Sequence, residues 1–272
     1  MSDSKVILVT GASSGNGQAT ARLLSQRGHQ VFGTSRNPAM AETIPQVRML
    51  ALDVCSDDSV ATCVNAVLAE TGRLDTVVNN AGYELGGALE EASLAEAEAQ
   101  FATNFFGVVR VVKAVLPTMR HQKSGQIVNI SSLAGLSPAP FLGMYSASKF
   151  ALEGYSEALR HEVKPFGVHV SAVEAGFLKT PLRNKRELAA GPISEYAPWR
   201  QRALEAIRAY EESGPGPDLV GQTVLKIIQS RTPHLRYVVG VQARRISILR
   251  RFLPAGAFEQ GTRNFFRLGK CT

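Results

Sequence analysis

Tyr145-Ser146-Ala147-Ser148-Lys149 sets a phenol and an ammonium four residues apart at the start of an apolar-patterned stretch. On a helix this spacing puts both groups on one face, one turn apart. A free phenol has a pKa of about 10 and is a poor base at neutral pH. A neighbouring cation stabilises the phenolate and lowers that value. A phenol tuned in this way can protonate a forming alkoxide or deprotonate an alcohol. The pattern also arises by chance, as a helix-face tyrosine and a surface lysine, so its surroundings decide.

A second constellation lies at the start of the chain. Thr10-Gly11-Ala12-Ser13-Ser14-Gly15-Asn16-Gly17 follows an apolar run and opens a helical pattern. Glycines permit a tight turn, and the free N–H groups of a helix N-terminus attract an anion such as a pyrophosphate. Gly11, Ser13, Ser14, Gly15, Asn16 and Gly17 are therefore candidate phosphate contacts. The spacing is GxxxGxG rather than the usual dinucleotide GxGxxG, so the flanking strand and helix carry the assignment. At the end of the second apolar run, an acid would bind the ribose hydroxyls of NAD. The chain instead reads Gly33-Thr34-Ser35-Arg36. A guanidinium there pairs with a 2′-phosphate, helped by the hydroxyls of Ser14 and Ser35, and this points to NADP(H). A solvated surface arginine is the alternative for Arg36. An oxidised nicotinamide would add a second cation beside Tyr145.

The elements that must hold these residues alternate between short buried strands and longer helices. Strands are expected at Val6–Thr10, Val31–Thr34, Met49–Val54, Thr76–Asn79, Gln126–Ser131, Val168–Val173 and Tyr237–Val241. Helices are expected from the glycine turn to Arg27, over Ser59–Thr71, Ser93 to His121, Tyr145–Val163 and Gly221–Ser230. Such alternation, with strands apolar on both faces, predicts an α/β fold with a doubly wound, Rossmann-type parallel sheet. No repeat or low-complexity linker divides the chain, so residues 1–272 read as one domain. Its least regular part, 176–217, is the expected substrate loop region.

Composition narrows the function. With 44% hydrophobic and 19% charged residues, the chain carries enough apolar surface for a core and is not disordered. Residues 124–148 lack charge but contain Asn129, Pro138 and Pro140, too interrupted for a bilayer helix. No basic and apolar leader precedes the first strand. Three cysteines without CxxC spacing argue against a disulfide framework, and a cytoplasmic location fits. No HExxH or Cys/His cluster calls for a metal. Of the net charge of +7, +6 lies beyond Val241, in the tail 244–272. The body is then nearly neutral, and nucleic acid is not an expected partner.

A strand ending in Asn129-Ile130-Ser131-Ser132 precedes Tyr145 by thirteen residues. With the glycine turn, Asn79-Asn80-Ala81-Gly82 and Thr103-Asn104-Phe105-Phe106-Gly107, the chain from about Lys5 to Thr180 resembles the short-chain dehydrogenase/reductase family. The resemblance implies a nicotinamide-dependent oxidoreductase and a homodimer or homotetramer. It implies that Ser132, with Ser131 as its rival, hydrogen-bonds the substrate oxygen and that Tyr145 is the acid/base. Lys149 would bind the nicotinamide ribose, and Asn104 would hold a water in a proton relay unless it merely packs inside its helix. Asp53 and Val54 would contact the adenine, Asn80 and Gly82 the cofactor channel, and Phe177 and Thr180 the carboxamide. One departure is Glu174-Ala175-Gly176, where the family has proline before the glycine. The stretch from Tyr145 to Gly154 resembles the 17β-hydroxysteroid and retinol dehydrogenase branch, which implies a lipophilic substrate.

Phe141, Leu142, Met144, Phe177, Leu178, Tyr196 and Trp199 are the expected substrate wall. In the tail, Arg244-Arg245-Ile246-Ser247-Ile248-Leu249-Arg250-Arg251-Phe252-Leu253 alternates basic and apolar residues. Contact with a membrane surface is possible, but a helix docked on the protein with solvated arginines is the favoured reading. Two other functional classes compete: a regulatory protein that binds NADP(H) without turnover, and a peripheral membrane protein acting through the tail.

Overall fold

The computed structural model describes residues 4–180 and 186–269, so Cys271 lies outside it. Strand β1 (Val6–Val9) is fully buried and runs into the glycine turn, from which helix α1 (Gly15–Gln26) departs. Strand β2 (Gln30–Ser35), strand β3 (Val47–Ala51), helix α2 (Asp57–Thr71) and strand β4 (Thr76–Asn79) complete the first half. Local chemistry sets the ends of α2: the Ser56 hydroxyl accepts from the Ser59 N–H, Asp57 and Asp58 occupy the positive N-terminal turn, and Gly72 closes it at φ 68°.

The second half begins with a two-residue strand β5 (Leu85–Gly86). A continuous helical rod follows: α3 (Leu94–Phe101), a π-helical turn over Ala102–Phe106, and α4 (Gly107–Gln122). Strand β6 (Gly125–Ser132), helix α5 (Gly143–Val163) and strand β7 (Val168–Ala175) come next. The remaining elements are strand β8 (Glu187–Leu188), helices α6 (Ala197–Ser213) and α7 (Asp218–Gln229), strand β9 (Arg236–Val239), and helices α8 (Val241–Phe252) and α9 (Ala255–Phe265).

Among the described residues, seven strands form one parallel sheet in the order β3-β2-β1-β4-β6-β7-β9, and β5 pairs with β8 apart from it. The order reverses at β1 and β4, which opens a crevice beyond their C-terminal ends. Helices cover both faces. One apolar layer joins β1, β4 and β6 to α2, α4 and α5 through Val77, Val112, Val115, Met119, Ile127 and Leu152, each 1% exposed or less. The other joins the sheet to α1 and α7 through Ile7, Leu24, Val78, Val220 and Val224. Burying each large side chain contributes roughly 1.5–3 kcal/mol over leaving it exposed. The rod Leu94–Gln122 is long and apolar enough to cross a membrane, yet Val111, Val112, Val115 and Met119 on it are core residues.

Strand β3 departs from expectation, starting two residues earlier and ending at Ala51 rather than Val54. As an edge strand it has only β2 as partner. Leu52 and Val54 are apolar because they pack under the crevice from a loop, not because they pair. Strand β7 runs two residues beyond the expected Val173, and Gly176 N–H donates to Val239 O at 2.9 Å. Ala175, where the resemblance implies a proline, is the last residue of the strand and pairs with Val239.

Candidate active site

The glycine turn is built against the loop after β4. Asn80 Nδ2 donates to the carbonyls of Thr10 (2.9 Å) and Gly11 (3.1 Å), while Thr10 Oγ1 accepts from the backbone N–H of Asn80 and Ala81. Gly11 and Gly15 have φ of +66° and +58°. A Cβ on Gly17 would lie 2.4 Å from Gly11 O, so α1 begins as close to the turn as backbone allows. No acidic residue occupies the first turn of α1. A pyrophosphate would therefore meet free N–H groups with no opposing charge.

From this turn a cavity of about 870 Å³ runs along the C-terminal ends of the strands. Ser13, Ser14, Gly15, Asn16, Ser35, Arg36, Asp53 and Val54 line its polar end. Arg36 is exposed at the rim, and Asp53 is fixed by accepting from Cys55 N–H at 2.9 Å. Asn80, Gly82 and Thr180 line the cavity further along. Gly17 lies beneath the turn rather than on the cavity surface, so its part is to let the helix approach. These groups suit a dinucleotide: an anion site, a floor with room only for glycine, and a cation beyond β2.

Tyr145, Lys149 and Ser132 meet at the middle of the cavity. Lys149 Nζ donates to Ile130 O at 2.9 Å and lies 5.8 Å from the Tyr145 ring centre, as one helical turn dictates. Ser132 hydrogen-bonds the Tyr145 side chain, and its hydroxyl also accepts from Ala134 N–H at 3.1 Å. Of the two serines, it is Ser132 that reaches the phenol. Asn104 sits in the π-helical turn, where an extra residue turns its side chain inward. Its Oδ1 accepts from Tyr83 N–H, and its Nδ2 donates to Tyr83 O and Ser148 Oγ. The Asn104 side chain thus positions the Tyr83 segment beside the reaction centre. Ser148, which also donates to Tyr145 O at 2.7 Å, drew no notice in the sequence reading.

Burial pushes the Tyr145 phenol well above the usual tyrosine range. The Glu84 carboxylate adds to that, while the Ser132 hydrogen bond and the Arg186 guanidinium oppose it. Burial also lowers Lys149 to about 8, against the pull of Glu84 and Glu153. In the chain by itself, desolvation outweighs the contacts that favour the phenolate. A pKa held far above the working pH makes the phenol a weaker proton donor. Proton exchange at this group would need its burial offset by positive charge, as an oxidised nicotinamide bound beside it would supply.

The groups acting on that phenol include a buried triad that sequence reasoning missed. Arg186 Nη2 lies 2.7 Å from both Glu84 Oε2 and Glu211 Oε1, with all three side chains at most 10% exposed. The three come from the loop after β4, from the residue just before β8 and from α6. Another buried carboxylate, Glu91, accepts from Ala88 N–H, Ile193 N–H and Arg200, tying the segment before α6 to the body.

The apolar end of the cavity departs from the expected wall. Leu142, Phe177 and Leu178 line it. Phe177 packs with Tyr210 and Phe265, at ring separations of 5.4 and 5.7 Å. Phe141, Met144, Tyr196 and Trp199 do not line it. Phe141 packs behind Leu142, and Met144 faces a separate small pocket. Tyr196 bonds Glu90 at the surface, and Trp199 is 42% exposed under Arg202. The wall is completed instead by Ile207 of α6 and by Ile246, Leu249, Leu253, Phe258 and Phe265 of the tail.

Behind the site, Glu174 of β7 is fully buried with Arg236 Nε at 3.3 Å. Burial, reinforced by the Glu153 charge, raises its carboxyl to about 7 against Arg236. A raised folded pKa gives stability that is present below the unfolded pKa and is lost as pH rises through about 7. Glu174→Gln is therefore expected to raise the melting temperature at pH 8 and to have little effect at pH 5. Each kcal/mol recovered is worth roughly 2–4 °C in a chain of this size. Scanning calorimetry at both pH values checks it, and an equal or inverted effect contradicts the buried-charge account.

A doubly wound sheet, a dinucleotide cradle at its switch point and a Ser/Tyr/Lys centre define a nicotinamide-dependent oxidoreductase. The family profile described as short chain dehydrogenase matches residues 5–190. The chain is 46% identical over 238 residues to a 3-ketodihydrosphingosine reductase of Bacteroides thetaiotaomicron, covering 87% of this chain and 88% of that one. It is 36% identical to retinol dehydrogenase 8 of Bos taurus, covering 93% and 87%. A crystal structure of a short-chain dehydrogenase/reductase from Burkholderia phymatum in complex with NAD superposes with TM-score 0.79 at 26% identity, covering 92% and 93%. The chain belongs to the short-chain dehydrogenase/reductase family, in the branch that includes the retinol dehydrogenases.

Proposed function

We propose that the protein moves a hydride between NADP(H) and the carbonyl or secondary alcohol carbon of a lipophilic substrate, with Tyr145 as general acid/base. The bound nicotinamide supplies or receives the hydride. In reduction, Tyr145 Oη gives its proton to the carbonyl oxygen while the Ser132 hydroxyl hydrogen-bonds that same oxygen, so charge is quenched as it forms. Lys149, fixed by Ile130 O, would present its remaining donors to the cofactor ribose. Phe177 and Thr180 would flank the nicotinamide end, and Asn80 and Gly82 the channel leading to it. Reversal of the same steps oxidises the alcohol.

The observation that carries the reading is that one continuous cavity joins Arg36 at its polar end to an aliphatic and aromatic lobe beyond Tyr145. The first supports a 2′-phosphate, and the second a substrate with few polar groups. Retinol and 3-ketodihydrosphingosine, the compounds in the relatives' names, are both lipophilic. The neighbour holding NAD leaves the choice of dinucleotide to Arg36 itself.

The test is oxidation of NADPH, with NADH as control, against long-chain, retinoid, steroid and small ketones. Turnover is expected with NADPH and a lipophilic ketone. Arg36→Ala should raise the KM for NADPH roughly tenfold, the worth of one charge-assisted contact, and leave that for NADH nearly unchanged. Unchanged discrimination in the variant removes Arg36 from cofactor choice. Absence of turnover on the whole panel removes the activity.

A further inference from the structure

Helix α8 has two apolar sides. One faces inward: Ala243 is fully buried, packed where a Cβ on Gly176 would stand 2.9 Å away, and Ile246 and Leu249 line the cavity. On the opposite side, Val241, Ile248 and Phe252 recur at intervals of seven and four residues and so form one stripe. Their exposures are 68%, 54% and 75%, although outward positions of a docked helix are normally polar. Arg244, Arg245 and Arg251 flank this stripe, all exposed, and no acidic residue occurs from Val241 to Leu253. At the tip between α8 and α9, Phe252-Leu253-Pro254-Ala255-Gly256-Ala257 are all exposed and uncharged. Leu253 belongs to both surfaces, for it is 41% exposed and also lines the cavity, so the cavity's tail wall reaches this tip.

We propose that the α8–α9 hairpin seats on an anionic lipid surface, its apolar tip entering the interface so that the substrate cavity opens toward the bilayer. The arrangement is that of an interfacial helix: an apolar stripe bordered by arginines that meet anionic headgroups. Self-association of the same face is the competing occupant. A two-fold contact would set these arginines against their own copies, with no carboxylate on the helix to answer them. An anionic leaflet supplies the missing counter-charge. The surface also serves the proposed lipophilic substrate, which would pass from the lipid to the cavity without crossing water. That advantage rests on the function proposed above, whereas lipid binding can be read without any turnover.

The test uses the full chain and vesicles of phosphatidylcholine, with and without phosphatidylglycerol, in co-sedimentation at low and high salt. Binding to the anionic vesicles is expected, at least tenfold weaker without phosphatidylglycerol and weaker at high salt, since the Debye length is ~10 Å at 0.1 M. Phe252→Glu combined with Arg245→Glu should lower binding at least tenfold with the melting temperature unchanged. Because Trp199 is the single tryptophan, Phe252→Trp in a Trp199→Phe background gives a direct probe, and its emission should move to the blue on anionic vesicles. The proposal is overturned if the unmodified chain does not bind, if the double variant binds equally, or if the probe's emission stays put. A dimer in solution that the double variant dissolves, without vesicle binding, assigns the face to a second copy and overturns it too.

Discussion

Replacing Tyr145 by phenylalanine is expected to lower turnover by about 10²- to 10⁴-fold, the usual worth of a positioned proton donor. The ring packs with Ala134, Ala139 and Leu142, and the substitution keeps those contacts. Only the hydroxyl is lost, so the fold and NADPH binding should persist. Stopped-flow or steady-state reduction of a ketone gives the rate, and quenching of NADPH fluorescence gives the affinity. A variant within tenfold of the parent rate would show that the proton comes from elsewhere. A variant that no longer binds NADPH would place the tyrosine's main effect in assembling the cleft. The same experiment separates the enzyme from a sensor that binds the dinucleotide without chemistry.

The second large effect is expected at Gly17. Its Cβ would fall 2.3 Å from Asn80 Nδ2 and 2.4 Å from Gly11 O. Neither is the far end of a flexible chain, since Asn80 is held by Thr10 O and Gly11 O. Gly17→Val must therefore push α1 away from the turn whose N–H groups would hold the phosphates. Overpacking of this kind costs roughly 1–3 kcal/mol, or about 5- to 150-fold in NADPH affinity if it falls on the cofactor site. Gly154→Ala is the control, for nothing lies within 4 Å of its added methyl and no change is expected. Titration of NADPH into both variants decides it. Parent-like affinity in Gly17→Val would mean that the cofactor does not use this turn.

The site divides sharply into parts that local sequence could reveal and parts it could not. The glycine turn, Arg36, Ser132 and the Tyr145/Lys149 pair each sit on or beside one element, so strand–turn–helix order and i, i+4 spacing were enough to place them together. Strand β4 was expected at its observed bounds because Val77 and Val78 are apolar on opposite faces. The far wall was misread for the opposite reason. Phe141, Tyr196 and Trp199 are large and apolar, but size does not say which way a side chain points on an irregular segment. The tail residues that replace them come from more than a hundred positions beyond Tyr145, and no pattern within α8 announces which of its two apolar sides meets the cavity. The Glu84–Arg186–Glu211 triad is equally silent, with separations of 102 and 25 residues and no period.

That triad has a bearing on how substrate choice can change. Arg186 and Glu211 lie on the stretch that shapes the apolar lobe, yet both also feature among the charges that set the affinity of Tyr145 for its proton. Reshaping the lobe through this stretch therefore shifts the Tyr145 phenol as well. Loss of Arg186 would leave two enclosed carboxylates facing a phenol already reluctant to ionise. Divergence toward a new substrate is then constrained electrostatically as much as sterically. The region most free to vary is the tail side of the lobe, where a bulkier or smaller side chain alters the room available without disturbing the field at the reacting oxygen.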